Sequence, residues 1–177
     1  MKYSVFIAAS IDGYIADIDG NIDWLNIVPN PTQDDMGWSD YLNSIDAIIM
    51  GRNTFEKVLS FDVPWPYPVP VFVASSTLKT APEGYEDKIK IVKGNPGEIT
   101  ESLKNEGYKS VYVDGGNVIN QFLKADLIDE ITVTTIPILL GGGIPLFSEL
   151  EQELVFNHIE TKVFVEHVVQ TKYTRNK

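Results

Sequence analysis

Apolar runs of strand length alternate along this chain with segments of helical period. Tyr3 to Ala9 is a β-branched and aromatic run that reads as a buried first strand. Asp12-Gly13 and Asp19-Gly20 are turn dipeptides around the apolar pair Tyr14 and Ile15. Thr32 with Asp35 resembles a capping box, with Asp in place of Glu. Beyond it, Trp38, Tyr41, Leu42 and Ile45 fall at i, i+3, i+4, i+7 and predict one face of a helix. Further strands are expected at Ala47–Met50, Val71–Ala74, Ile89–Val92 and Ser110–Val113, and a long one at Ile131–Leu139. Helices are expected at Asn53–Leu59, Glu98–Asn105 and Asn117–Lys124. Leu154–Val165 and Val168–Tyr173 read as a closing antiparallel hairpin. Prolines 64, 66, 68 and 70 alternate with Val, Trp and Tyr, as in an extended loop feeding a strand.

Strands alternating with helices, then strands alone, predict an α/β sheet that is mostly parallel with an antiparallel C-terminal edge. No repeat or linker interrupts the 177 residues, so residues 1–177 are expected to be one domain. The chain has no cysteine, which removes disulfides, thiolate metal sites and cysteine nucleophiles. It opens without a signal-peptide pattern. Its longest uncharged run, Ile131–Ser148, holds two prolines and three consecutive glycines, so it is a poor membrane helix. A cytoplasmic location is expected.

Charge changes the picture further. The net charge of −11 argues against binding nucleic acid or an anionic membrane. Eight aspartates and no base lie between Lys2 and Arg52. Only two arginines occur, Arg52 and Arg175.

Two segments share one construction: a buried strand, a glycine, then a helix start. They are Ile48 to Glu56, with Gly51, Arg52, Asn53 and Thr54 at the turn, and Val111 to Ile119, with Gly115, Gly116, Asn117 and Val118. Helix N-termini present free N–H groups and partial positive charge, so the pair suits a diphosphate. Arg52 at a helix start either binds that anion or pairs with a nearby carboxylate. Other motifs fail. There is no P-loop, no G-x-S-x-G elbow and no complete G-x-G-x-x-G. Asp17-x-Asp19-x-Asn21 lacks the later EF-hand ligands, and His158 and His167 have no metal-ligand spacing, so no metal is expected.

Ser10 to Ala16, Gly20 to Leu25, Met50 to Glu56, Val113 to Gly116 and Pro137 to Phe147 together resemble the dihydrofolate-reductase-like proteins. The resemblance is to their riboflavin-biosynthesis reductase branch, the RibD C-terminal-like proteins, and it spans nearly the whole chain. It implies a dihydrofolate-reductase-like three-layer sandwich with a central eight- or nine-stranded mixed sheet. It implies NADPH as hydride donor and, by analogy with other members, a homodimer. By the same resemblance, Gly51, Arg52, Asn53, Thr54, Gly115, Gly116, Asn117 and Val118 would hold the phosphates. Ser75, Ser76 and Lys79 would hold the adenosine 2′-phosphate, and Ala8, Ala9 and Ile15 would border the nicotinamide. Asp34, Asp35 and Asp40 lie near the family's helix carboxylate but outside its W-x-x-P-x-D/E context. Ser60–Pro64 stands where riboflavin reductases carry Asp-Asp-Pro.

The expected activity is NADPH-dependent hydride transfer to an imine or carbonyl carbon of an aminouracil-ribose or pterin-like heterocycle. Asp12, and after it Asp35, are the candidate catalytic carboxylates, though Asp12 equally suits turn capping. Trp38 and Tyr41 are candidate pocket residues. A non-catalytic NADP-binding protein and a scaffold without nucleotide affinity are the alternatives.

Overall fold

The computed structural model describes residues 1–61 and 63–177. Asp62, in the Ser60–Pro64 stretch, lies outside the described residues.

The strands are β1 (Lys2–Ser10), β2 (Tyr14–Ala16), β3 (Ala47–Gly51), β4 (Val71–Ala74), β5 (Ile89–Val92), β6 (Ser110–Asp114), β7 (Glu130–Ile136), β8 (Ile144–Pro145), β9 (Phe156–Phe164) and β10 (Val168–Arg175). The helices are α1 (Trp38–Asn43), α2 (Arg52–Leu59), α3 (Pro96–Asn105) and α4 (Gly116–Lys124). Among the described residues, eight strands form one sheet in the order β5-β4-β3-β6-β1-β7-β10-β9. The first six are parallel; β10 is antiparallel to β7, and β9 to β10. β2 and β8 pair as a small separate ribbon. This is a mixed, mostly parallel sheet with an antiparallel hairpin at its edge, as the sequence pattern predicts.

Period-2 alternation sorts the core onto two faces. Ile48, Met50, Val71, Val73 and Tyr112 pack with Leu42 of α1 and Phe55 of α2. Ala47, Ile49, Val111 and Val113 pack with Leu103 of α3 and Ile119 and Phe122 of α4. Ile48, Ile49 and Val113 have no exposed surface, which contributes about 1.5–3 kcal/mol for each such side chain.

Several boundaries differ from the sequence expectation, each for a local reason. β7 stops at Ile136, because Pro137 has no N–H to continue the ladder. The Thr32–Asp35 capping box does not form: the Thr32 hydroxyl turns to Asn30 Oδ1. Asp35 instead accepts from the Gly37 and Ser39 backbone N–H groups at 2.9 and 3.0 Å. α1 is one and a half turns long, and Ile45 is buried beyond its end. α3 begins at Pro96, two residues earlier than expected, behind a true capping box of Asn95 and Glu98. β9 begins at Phe156. His158 is exposed on β9, whereas His167 lies in the turn after it.

Candidate active site

The site begins with a split in the sheet. β1 and β6 pair only over Lys2–Ser4 with Ser110–Tyr112. β1 then follows β7 all the way to Ser10, while β6 follows β3 to Asp114. A crevice opens between them at the carboxyl ends of the parallel strands, the usual ligand position in open α/β sheets. Tyr112 spans its base, its hydroxyl donating to the Phe6 carbonyl at 3.0 Å. That carbonyl faces the crevice, so by strand alternation the backbone N–H and C=O of Ala8 do too. No β6 residue stands opposite Ala8, so a ligand amide has a donor and an acceptor there. Ala9 points the other way: its side chain is buried in the α3/α4 core.

The two glycine turns meet at this crevice. A Cβ on Gly51 would stand 3.4 Å from Val118 Cγ2, and one on Gly115 would stand 2.1 Å from Thr54 Oγ1. Gly115 has φ +84°, a conformation that favours glycine. A Cβ on Gly116 would stand 3.0 Å from Ile15 Cδ1 and 3.3 Å from the Pro145 carbonyl, so the β2/β8 ribbon closes over the first turn of α4. The starts of α2 and α4 thus lie side by side, with Asn53 and Asn117 exposed beside them. Asn117 Oδ1 accepts from Gln121 Nε2 at 2.8 Å.

Arg52 occupies the outer side of this pair. Its Nε donates to Glu56 at 2.6 Å and its Nη1 to Thr77 Oγ1 at 3.0 Å. Ser75 Oγ accepts from the backbone N–H groups of Thr77 and Leu78, at 3.2 and 3.0 Å. Ser76 and Lys79 are exposed on the same loop. Arg52 and the Ser75 and Thr77 hydroxyls therefore converge just past the end of β4. Thr77 joins this group although the sequence reading passed over it.

The opposite wall of the crevice is aromatic. Phe6 stacks on Tyr41 with centroids 4.7 Å apart, and Trp38 lies 5.6 Å from Phe6 and 5.9 Å from Tyr112. The Tyr41 hydroxyl hydrogen-bonds Ser4 Oγ at 2.9 Å, and burial raises the pKa of Tyr41 above the usual phenol range. Asp114 shares the face of β6 that bears Tyr112. Burial raises its carboxyl above the ordinary carboxylate range, and the Gly115 N–H offsets that only in part. The Gly115 N–H donates to it at 2.8 Å. The sequence showed Asp114 only as a letter of the glycine motif.

Asp12 and Asp35 are placed differently. Asp12 accepts from Ser10 Oγ at 2.6 Å and from the N–H groups of Leu140 and Gly141 at 3.1 and 2.7 Å. It ties the β1–β2 turn to the glycine-rich loop, and the Ser10 hydrogen bond above all lowers its pKa. Asp35 caps α1, with its pKa lowered first by the Ser39 hydroxyl. Both carboxylates are exposed and held ionised, the opposite of what a proton donor at neutral pH requires. Neither joins the aromatic wall. Trp24 Nε1, in the short 3-10 turn Asp23–Ile27, is the one buried side-chain polar atom without a hydrogen-bond partner among the described residues. No group of three or more His, Asp or Glu side chains suited to a metal ion occurs among the described residues, and no helix there is long and apolar enough to cross a membrane.

The split parallel sheet, paired glycine turns and antiparallel edge hairpin define a dihydrofolate-reductase-like α/β protein. Dihydrofolate reductase from Enterococcus faecalis, solved with NADP(H), superposes with a TM-score of 0.66 at 19% identity over 99% of this chain and 97% of that one. The chain belongs to the RibD C-terminal domain family, whose profile matches residues 2–169. A crystal structure from Shewanella sp. PV-4, of a protein named for riboflavin biosynthesis, is 51% identical over 100% of both chains with a TM-score of 0.97. Uncharacterized protein YwjB from Bacillus subtilis (strain 168) is 37% identical over 98% of both chains.

Proposed function

We propose that this protein is an NADPH-dependent reductase acting on a small heterocycle, with Asp114 as its proton donor. The observation that carries the reading is the pair of abutting helix starts with Arg52, Ser75 and Thr77 beside them. Thr54 fills the space a Cβ would take at Gly115, so glycine lets the two helix starts pack together, and their free N–H groups suit a ligand's phosphates. Gly51, Asn53, Thr54, Asn117 and Val118 complete this diphosphate cradle. The Arg52 fork with Ser75, Ser76, Thr77 and Lys79 suits a further dianionic phosphate, which favours NADPH over NADH. Ala8 offers its backbone pair to the nicotinamide amide, with Ile15 beside it. Bound there, NADPH supplies the hydride.

The chain's own residues do the rest. Trp38, Tyr41 and Phe6 hold a flat ring against the crevice. Burial disfavours the charged form of Asp114 and so favours a proton on its carboxyl. Raised Asp114 and lowered Asp12 divide the carboxylates between acid and structural roles.

NADPH oxidation, followed by absorbance with aminouracil, pterin and carbonyl acceptors, tests this reading. Asp114→Asn is expected to lower kcat by roughly 10²–10⁴-fold with NADPH affinity within about twofold. NADPH binding without oxidation by any acceptor would favour a non-catalytic NADP-binding protein.

A further inference from the structure

We infer that Gln170 is a positioning residue for the reaction: it holds the loop that launches α1, and so sets where the Trp38 and Tyr41 rings stand over the crevice. The inference rests on the reductase reading above and adds to that site a residue lying outside it.

Gln170 lies on β10, two strands away from β1. It stands opposite Thr134 of β7, and Thr134 stands opposite Ala8 of β1. One row of the sheet therefore runs from Gln170 to the crevice edge, roughly 10 Å away. Gln170 is half-buried and Thr134 is buried. Gln170 Nε2 donates to Thr134 Oγ1 at 2.9 Å and to the Met36 carbonyl at 3.0 Å. Both amide hydrogens are thus used, one on the sheet and one on the loop.

The loop 30–37 has no other such tie. Among the described residues, its remaining hydrogen bonds close within the loop or onto α1, mostly through the side chains of Asn30, Asp34 and Asp35. Gln33 and Met36 have φ 52° and 53°, a left-handed backbone that persists only where its surroundings hold it. α1 has six residues, too few to stand without tertiary support. Met36 leads directly into it, so a shift at Met36 carries to Trp38 and Tyr41. A carbonyl can only accept, so position 170 must supply a donor. Glutamate there would keep the shape and set a carboxylate oxygen against the Met36 oxygen.

Hydrogen–deuterium exchange of the full chain tests this with Gln170→Leu and Gln170→Glu. In both variants the amides of Gly37, Trp38, Ser39 and Tyr41 should exchange at least about tenfold faster, with those of Ile48–Met50 unchanged. Lys172→Met, on the same face of β10 but bonded to Glu130, should leave the loop as in wild type. NADPH oxidation with aminouracil, pterin and carbonyl acceptors is followed in parallel. Both Gln170 variants should raise the acceptor KM and lower kcat/KM by roughly 10–100-fold, with the NADPH KM within about twofold. A variant that only lost folded protein would lower kcat and leave both KM values unchanged. Exchange that is unchanged at Trp38, or raised equally in Ile48–Met50, overturns the inference, as does an unchanged acceptor KM. Absence of wild-type turnover with every acceptor overturns the reductase reading and the place of Gln170 in it, whereas wild-type turnover with unaltered variant kinetics overturns the positioning role alone.

Discussion

Gly115→Ala puts the packing of the two glycine turns to a direct test. The residue has φ +84°, and its added Cβ would stand 2.1 Å from Thr54 Oγ1 and 3.2 Å from Thr54 Cβ. The backbone strain costs about 1–3 kcal/mol. The crowding adds about 1–2 kcal/mol, because Thr54 sits on α2 and its Cβ cannot swing away. Together they come to about 2–5 kcal/mol. At about 2–4 °C per kcal/mol for a domain of this size, the melting temperature should fall by roughly 4–20 °C. Equilibrium urea denaturation, followed by tryptophan fluorescence, measures the loss. Gly115→Ala combined with Thr54→Ala should recover the Oγ1 part of the cost but not the backbone part. Added NADPH should raise the wild-type midpoint and leave that of Gly115→Ala nearly unmoved. A single variant within about 0.5 kcal/mol of wild type would refute the reasoning.

The remaining predictions concern the carboxylates. The Asp114 carboxyl is raised in the folded protein, so its contribution to stability is best below the ordinary carboxylate pKa and declines as pH rises through the folded value. Asp114→Asn should therefore melt higher than wild type at pH 8, with the gap closing toward pH 4; thermal melts across that range check it. Asp12 is lowered, so the sign reverses: its contribution is present above the ordinary carboxylate pKa and lost as pH falls through the lower folded value. Asp12→Asn should melt lower than wild type at pH 7, converge with it in acid, and reduce kcat far less than Asp114→Asn does.

Much of this architecture was legible in the chain because local pattern and global fold agree. The apolar runs Ala47–Met50 and Ser110–Val113 read as strands, and the glycines after them marked the helix starts. The crevice was not legible, because pairing register is a tertiary property. Nothing near Ser4 announces that β1 leaves β6 there. Asp114 was hidden for a similar reason. Its raised carboxyl comes from burial, which the assembled fold creates and the sequence does not announce. Asp12 looked as good a proton donor until Leu140 and Gly141, 128 and 129 residues further on, turned their N–H groups to it. Thr77 drew no notice because a loop hydroxyl carries no pattern of its own. The missed capping box at Asn95–Glu98 was readable, and the expected helix start at Glu98 simply fell three residues inside it.

Calorimetric binding of NADPH and NADH to wild type and Arg52→Ala tests the central claim most directly. Charge-assisted hydrogen bonds of about 1.5–3 kcal/mol predict that wild type binds NADPH roughly 10–100-fold more tightly than NADH. Arg52→Ala should remove most of that preference and leave NADH affinity within about twofold. Absence of NADPH binding, or a preference that survives in Arg52→Ala, would contradict the account.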